Sequence, residues 1–495
     1  MTKSPVLKVA LVHLEVLGGQ LTANLENFLK LAREAARNGA QLIVGPEMAM
    51  SGYCFESRES MAPFAQTEDG PVLKAVKELA AELEVHVVIG LAERDEPGGM
   101  FYNSAFLVSS QGRIAGRARK INAESRWACP ASQLQNNIWS TPWGQVGIHI
   151  CADSWNSLIT RVTAVKGADM LILPANWPPS GINPQDLWRF RALENGLWFV
   201  GCNRTGIEKK FDCTEAVSCA YDPKGREIFS GQSPVSTVFY LEIPLTAEGR
   251  LDSSRRKEIM ARRTPQKYHR LYGNFSGLKD LTGFLKLPAP GPMEIRALVP
   301  EAGRNPVDFV ENAIGDLPEE SLLVLPQAPL DSASLERLKN MLGRRFLVSR
   351  LGPRRSDFLV LGGDGPGISL PSEGLCLADI HKGRFWLADE DEIVQPEAAV
   401  AAAKSGADAA VAFVSSLTPE MKLLAAMRPI DQLAAILTAP DGAAMGLMYL
   451  GHQTGRGAAV SPGQAGGLTL DTAETREKRF QDRLDFEALF KPGDL

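Results

Sequence analysis

The chain has 495 residues, 44% hydrophobic and 22% charged, a globular composition with ample core and too much length for one ordinary domain. A net charge of -5 gives no footprint for nucleic acid, and no apolar run reaches the roughly 18 residues of a membrane span, so neither partner is expected. Seven cysteines without framework spacing, and a start that passes directly into a strand without leader features, fit free thiols in a reducing compartment and predict a cytoplasmic protein.

Strand-like runs are predicted at 9–13, 42–44, 86–90, 104–108, 146–151, 170–173 and 198–202, alternating with helices at 23–37 and 71–83. In the first helix Leu25, Phe28, Leu29, Leu31, Ala32 and Ala35 form one apolar stripe at the 3.6 period. Leu42-Ile-Val-Gly-Pro-Glu-Met leaves Glu47 at a strand's carboxyl end, with Tyr53 closing the same segment. Lys120 follows a hairpin-like turn at Gln111-Gly112 and the run Arg113 to Arg119. Val146-Gly-Ile-His-Ile-Cys-Ala-Asp-Ser-Trp155 delivers Cys151 to a sharp turn, where unpaired backbone N–H groups, that of Ala152 first, can bind an oxyanion.

Glu47, Lys120 and Cys151, each at a strand end, resemble the triad of the nitrilase superfamily of carbon-nitrogen hydrolases. The layout around them is similar too. Tyr102-Asn-Ser-Ala-Phe-Leu-Val108 resembles the family's strand before the lysine, and Val165-Lys-Gly-Ala-Asp-Met-Leu-Ile-Leu-Pro-Ala-Asn-Trp177 its Gly-Ala-Asp turn and next buried strand. Trp188 to Asn195 and Trp198 to Gly206 are similar to the helix and strand of the omega-amidase branch. These motifs span about residues 6–275.

The resemblance implies an α/β fold, a four-layer α-β-β-α sandwich. It also implies Cys151 as nucleophile, Glu47 as general base, and Lys120 with the Ala152 N–H as oxyanion donors. Glu124, in Glu-Ser-Arg-Trp-Ala-Cys-Pro130, stands where the family has a further glutamate, although Ala131 replaces the glycine that usually follows the proline. Tyr53, Trp155 and Trp177 are candidates for pocket walls, and Arg204 for a substrate carboxylate. Arg191, Glu194 and Asn195 read as helix-packing residues, and His149 as a core histidine rather than a partner of Cys151. No cofactor is expected: the six histidines are dispersed, and neither a phosphate-binding Gly-rich loop nor a dinucleotide fingerprint occurs.

The expected reaction is hydrolysis of a small linear carboxamide to acid and ammonia through a thioester. A nitrilase or an N-carbamoyl amine or amino-acid amidohydrolase would use the same triad, and a non-catalytic scaffold is the alternative of another class.

Leu285-Lys-Leu-Pro-Ala-Pro-Gly-Pro-Met293 breaks regular structure, and from Met293 onward the chain repeats its first half. Met293 to Val299 parallels Lys8 to Val12, and Ser321 to Pro329 parallels Gln41 to Ala49. Arg384 to Asp389 parallels His149 to Asp153, and Lys404 to Val411 parallels Lys166 to Ile172. In that reading Gln327 replaces Glu47, Leu387 replaces Cys151, and Ser369 to Gly374 holds no lysine. The expected organisation is a catalytic domain at 1–286, a linker at 287–292 and an inactive copy at 293–495. The two are expected to form an intrachain pseudo-dimer that could pair further as a homodimer.

Overall fold

A computed structural model of the chain describes residues 5–478, except 133–134, 180, 274–279, 316, 353–356, 363–373 and 448–455. The chain divides into two compact units, one over 1–261 and one over 262–482.

In the first unit the strands are β1 (Val6–His13), β2 (Leu42–Val44), β3 (His86–Asp95), β4 (Met100–Val108), β5 (Ile114–Arg119), β6 (Ile138–Thr141) and β7 (Gly144–Ile148). They continue with β8 (Met170–Pro174), β9 (Trp198–Cys202), a small hairpin β10 (Ile207–Glu208) and β11 (Phe211–Asp212), then β12 (Ser218–Tyr221), β13 (Glu227–Gly231) and β14 (Thr237–Pro244). One sheet has the order β14-β1-β2-β3-β4-β5, the other β13-β12-β9-β8-β7-β6. In each, three central strands run parallel and the outer ones antiparallel. Parallel strands buried on both faces explain runs such as Leu42–Val44 and Met170–Pro174, in which no residue is exposed.

Helices α1 (Leu21–Arg37) and α2 (Pro71–Leu83) cover the first sheet, burying Phe28, Leu31, Ala32 and Ala35 with Val72, Val76 and Leu79 against Ala10, Ile43, Val87 and Phe106. Two of the residues expected in the α1 stripe, Leu25 and Leu29, lie at its margin, and polar Asn24 is buried instead. It bonds the Leu17 N–H and the Leu17 and Met50 carbonyls at the helix start. Helices α3 (Ser157–Val165) and α4 (Pro184–Asn195) lie on the second sheet, where Gly201 admits the Trp188 ring and Gly147 the Thr163 methyl. The sheets meet face to face: the Cys202 thiol of β9 approaches the carbonyls of Val12 and Val44, and His13 on β1 bonds Ser218 on β12 at 2.9 Å. This is the four-layer α-β-β-α sandwich.

The second unit repeats the plan. Its strands are β15 (Pro292–Val299), β16 (Leu322–Val324), β17 (Phe346–Arg350), β18 (Phe358–Gly362), β19 (Cys376–Ile380), β20 (Gly383–Asp389), β21 (Ala409–Phe413), β22 (Ala434–Ala439), β23 (Gly442–Leu447), β24 (Arg456–Val460) and β25 (Gln464–Asp471). The order β19-β20-β21-β22-β23-β24 reproduces that of the first unit's second sheet, and β25-β15-β16-β17-β18 reproduces five strands of its first sheet, with the same strand directions and, among the described residues, no counterpart of β5. The apolar core between these two sheets includes Ile295, Val324, Val348, Leu387, Val411 and Ile436. Residues 262–273, read from sequence as part of the first domain, make their contacts within the second unit. Arg263 pairs with Glu397 at 2.6 Å, and Lys404 donates to the carbonyls of Leu271 and Gly273.

Hydrogen-bond register refines the alignment of the halves. Asp169 of Gly-Ala-Asp accepts the Gln145 N–H at 2.9 Å and Arg256 at 3.2 Å; Asp408 of the second Gly-Ala-Asp accepts the Arg384 N–H at 2.8 Å and Arg476 at 3.1 Å. Gln145 and Arg384 are therefore equivalent, which sets Leu387 opposite Ile148 and Glu390, not Leu387, opposite Cys151. The dipeptide Ala-Asp occurs in both sequences but at shifted positions, because β20 runs on to Asp389 where β7 stops at Ile148. The equivalence of Glu47 and Gln327 agrees with the register, since Gly45 and Leu325 make matching bonds to Val88 and Val348. Of the segment 369–374 read as lacking the lysine, 369–373 lie outside the described residues.

Candidate active site

Glu47 stands just beyond β2, in a loop held against β3 by three backbone bonds: Gly45 N–H to Val88 O, Gly90 N–H to Pro46 O and Ala49 N–H to Gly90 O. The approach is close enough to require glycine at position 90. A Cβ there would lie 2.6 Å from the Glu47 Cα and 2.7 Å from the Pro46 carbonyl. Met48, next in the loop, has φ 50°, a left-handed conformation uncommon without glycine.

Lys120 follows β5 and is fastened by its N–H to the Asn103 carbonyl on β4 at 2.8 Å. The following loop doubles back, since the Ala131 N–H bonds the Lys120 carbonyl and the Trp127 and Ala128 N–H groups both reach the Glu124 carbonyl. This fold returns Glu124 to the lysine despite the short interval between them. The Lys120 ammonium contacts both carboxylates, with Glu47 Oε1 at 2.7 Å and Glu124 Oε1 as its second partner. Tyr53 OH donates to Glu124 Oε1 at 2.7 Å, and Asn103 Nδ2 donates to Glu47 Oε1 at 2.7 Å and Glu124 Oε2 at 3.1 Å.

Cys151 opens a short 3-10 helix, Cys151–Trp155, with φ 45°. A non-glycine residue held left-handed is strained, and the strain is stored where a side chain must leave the sheet at a sharp angle. As first residues of a helix, Cys151 and Ala152 have no intrahelical acceptor for their N–H groups. The turn is anchored from behind. Asp153 accepts N–H groups of Ile121 and Asn122 on one oxygen and of Ile150 on the other, joining the nucleophile turn to the residues after Lys120. Arg191, paired with Glu194, donates to the Ser154 carbonyl at 2.7 Å and the Trp155 carbonyl at 2.9 Å.

Burial governs the electrostatics. Glu47 and Lys120 are 0% and 1% exposed and Cys151 is 6% exposed, so their charges interact in a weakly screened space. Burial raises the Cys151 thiol well above its usual range and the Glu47 charge adds to this, while Lys120 and the Asn176 N–H pull it down. Burial also lifts Glu47 above the ordinary carboxylate range against the opposing pull of Lys120. For Glu124 burial is outweighed by Lys120 and its hydrogen bonds, which hold it low. Burial would discharge Lys120, but two carboxylates keep it firmly protonated. The resting arrangement is thus a thiol beside a carboxylate of raised basicity and a fixed ammonium.

The other expected residues fall in four places. The Trp155 and Trp177 rings face each other with centroids 5.5 Å apart, and Trp177 follows Asn176, whose N–H meets the thiol. Tyr53 reaches the site through Glu124 and stacks on Phe211. Arg204 is fully buried and engaged elsewhere, on Glu208 at 2.7 Å and the carbonyls of Val16 and Thr205; Glu208 in turn accepts the Tyr53 and Cys54 N–H groups. It braces the Tyr53 segment and does not present its guanidinium to a substrate. His149 bonds Thr163 at 2.7 Å in the core and is pushed down to about 3 by burial, so it stays neutral and apart from Cys151.

Sequence reading missed Asn103, Asp153, Asn176 and Gly90 as parts of this centre. None of the four announces this role in its own segment: each acts through contacts with residues distant in the chain. Among the described residues no group of three or more His, Cys, Asp or Glu side chains is arranged to hold a metal ion.

The family model "Carbon-nitrogen hydrolase" matches residues 8–250. A nitrilase of Pyrococcus abyssi is 33% identical over 211 residues, 41% of this chain and 77% of that protein. An (R)-stereoselective amidase of a Pseudomonas species is 30% identical over 251 residues, 50% of this chain and 89% of that protein. The crystal structure of a carbon-nitrogen hydrolase from Helicobacter pylori aligns at 21% identity with a TM-score of 0.47, over 54% of this chain and 99% of that one. The chain belongs to the nitrilase superfamily of carbon-nitrogen hydrolases.

Proposed function

We propose that the first unit hydrolyses a small linear carboxamide to acid and ammonia, with Cys151 as nucleophile, Glu47 as general base and acid, and Lys120 and the Ala152 N–H as oxyanion donors. The observation that carries the reading is the arrangement of a strained Cys151, a basic Glu47 and a fixed Lys120 ammonium around one sealed point.

The chemistry balances without a cofactor. The thiol passes its proton to Glu47 as sulfur bonds to the amide carbon, and the carbonyl oxygen becomes an oxyanion facing Lys120 and Ala152, each such donor contributing about 3 kcal/mol. Collapse breaks the C–N bond, and Glu47 returns the proton so that ammonia leaves. Water then gives a proton to Glu47 and attacks the thioester; the C–S bond breaks, releasing the acid and restoring the thiol. Glu124 orients Lys120, and Trp155, Trp177 and Tyr53 wall the acyl group. With Arg204 committed to Glu208, an omega-amidase-like substrate would have its carboxylate held by another donor.

The second unit, in this reading, is an inactive copy of the first. Support comes from matched strand orders combined with Gln327 and Glu390 at the base and nucleophile positions. Among the described residues no helix is long and apolar enough to cross a membrane.

The test is intact-mass spectrometry after acid quenching of the protein mixed with short amides, nitriles and carbamoyl compounds. A thioester adduct on Cys151, absent from Cys151→Ala, is expected with amides together with ammonia release. No adduct and no ammonia from any of them would overturn the reading in favour of a binding role.

A further inference from the structure

The two glutamates offer four carboxylate oxygens, and three are occupied by donors. Glu47 Oε1 accepts from Lys120 and Asn103, each at 2.7 Å; Glu124 Oε1 accepts from Lys120 and Tyr53; Glu124 Oε2 accepts from Asn103 at 3.1 Å. Glu47 Oε2 is buried and has no hydrogen-bond partner. Asn103, on β4 and 0% exposed, is the side chain that spends a single amide nitrogen on both carboxylates, and its carbonyl also anchors the Lys120 N–H.

We infer that Asn103 is a positioning residue that makes Glu47 a one-oxygen base. It fills Oε1 alongside Lys120, so the proton from Cys151 goes to Oε2, and it holds Glu47 ionised against burial. An amide is required for this. Both N–H groups of Nδ2 are used, and an aspartate there would donate nothing and add a third negative charge beside two carboxylates. The inference rests on the proposed roles of Glu47 and Cys151, but its main readout needs no substrate.

Asn103 stabilises the ionised form of Glu47, so its loss raises the Glu47 pKa. The thiol can pass its proton only to ionised Glu47, so the acid limb of Cys151 reactivity moves up in pH. The experiment is iodoacetamide alkylation of Cys151 as a function of pH, read at the Cys151 peptide by mass spectrometry, on the full chain and on Asn103→Ala and Asn103→Asp. A charge-assisted hydrogen bond corresponds to roughly a 10- to 100-fold effect, so the limb is expected to rise by about one pH unit in Asn103→Ala and further in Asn103→Asp. With an amide substrate, kcat falls by the same factor with KM within about threefold, because Asn103 does not touch the substrate. A limb unmoved in a folded variant overturns the inference, whatever the activity. If Asn103→Ala does not fold, Asn103→Asp, nearly identical in shape, carries the test. Failure of the catalytic reading would show instead as absent thioester with the alkylation shift intact.

Discussion

The two units share a scaffold and differ in chemistry, and the division falls between particular residues. Both keep the Gly-Ala-Asp turn whose aspartate ties a strand start to an arginine near the unit's end, Arg256 in one and Arg476 in the other. Both keep a buried arginine with an acid three residues on: Arg191 donates to the Trp155 carbonyl and Arg428 to the Val394 carbonyl, at equivalent places after the strand. Even the contact of Cys151 with the Asn176 N–H has a counterpart, since Glu390 accepts the Ser415 N–H at 2.9 Å. What differs is Glu47 against Gln327, Cys151 against Glu390, and Gly90 against Arg350. The second unit's loop is also one residue shorter where Ala328 meets the Arg350 carbonyl. Turn-fastening contacts support the sandwich in both units; the proposed base, the proposed nucleophile and the glycine that lets the Glu47 loop approach are confined to the first.

Exchanging the base tests that division most severely. Glu47→Gln gives the first unit the second's residue type and is expected to lower kcat/KM for amide hydrolysis by about 10^3-fold, within the range for a general acid-base group, with the fold retained. Gln327→Glu is expected to leave ammonia release unchanged. Activity of Glu47→Gln within tenfold of the parent would mean that another group serves as the base.

The paired arginines sharpen the comparison from the scaffold side. Arg191→Met removes a buried ion pair with Glu194 and should cost about 3–5 kcal/mol, as should Arg428→Met, which removes the pair with Asp431. Denaturant unfolding measures both. The expected difference is functional: Arg191→Met also frees the Ser154 and Trp155 carbonyls and loses turnover, whereas Arg428→Met keeps the turnover of the molecules that remain folded. Equal loss of turnover in the two variants would make the second unit a contributor to catalysis.

Much of the fold and of the proposed triad was legible in the sequence because both depend on local pattern. Apolar runs flanked by Gly and Pro marked the parallel strands, and Glu47, Lys120 and Cys151 each stand where such a run ends. Long-range geometry was not legible. The Ala-Asp match suggested Leu387 opposite Cys151, and only the backbone pairing of Arg384 with Asp408 sets Glu390 there. Arg204 looked free to bind a carboxylate because nothing in its own segment announces the distant Val16 carbonyl that it bonds. Asn103 was one letter in a strand until β5 brought Lys120 beside it.

The smallest expected effect separates the units by acid. His13 and His149 are sealed in the first unit, where burial pushes them down to about 4 and about 3. A histidine with a depressed folded pKa takes up its proton on unfolding, so it removes stability as pH falls below its unfolded value near 6.5. Between pH 8 and pH 6 each should cost about 0.8 kcal/mol. Asp153 acts oppositely: burial raises it to about 6, so protonation in the folded state returns about 0.4 kcal/mol over the same interval. The net loss from these three groups is about 1 kcal/mol. Every tryptophan except Trp386 belongs to that unit, so urea unfolding followed by tryptophan fluorescence reports on it almost alone. The midpoint should fall between pH 8 and pH 6, and His149→Gln should cut the fall by about half or more. A midpoint that does not move would mean that these histidines are protonated in the folded core, and that burial is not what holds His149 away from the chemistry of Cys151.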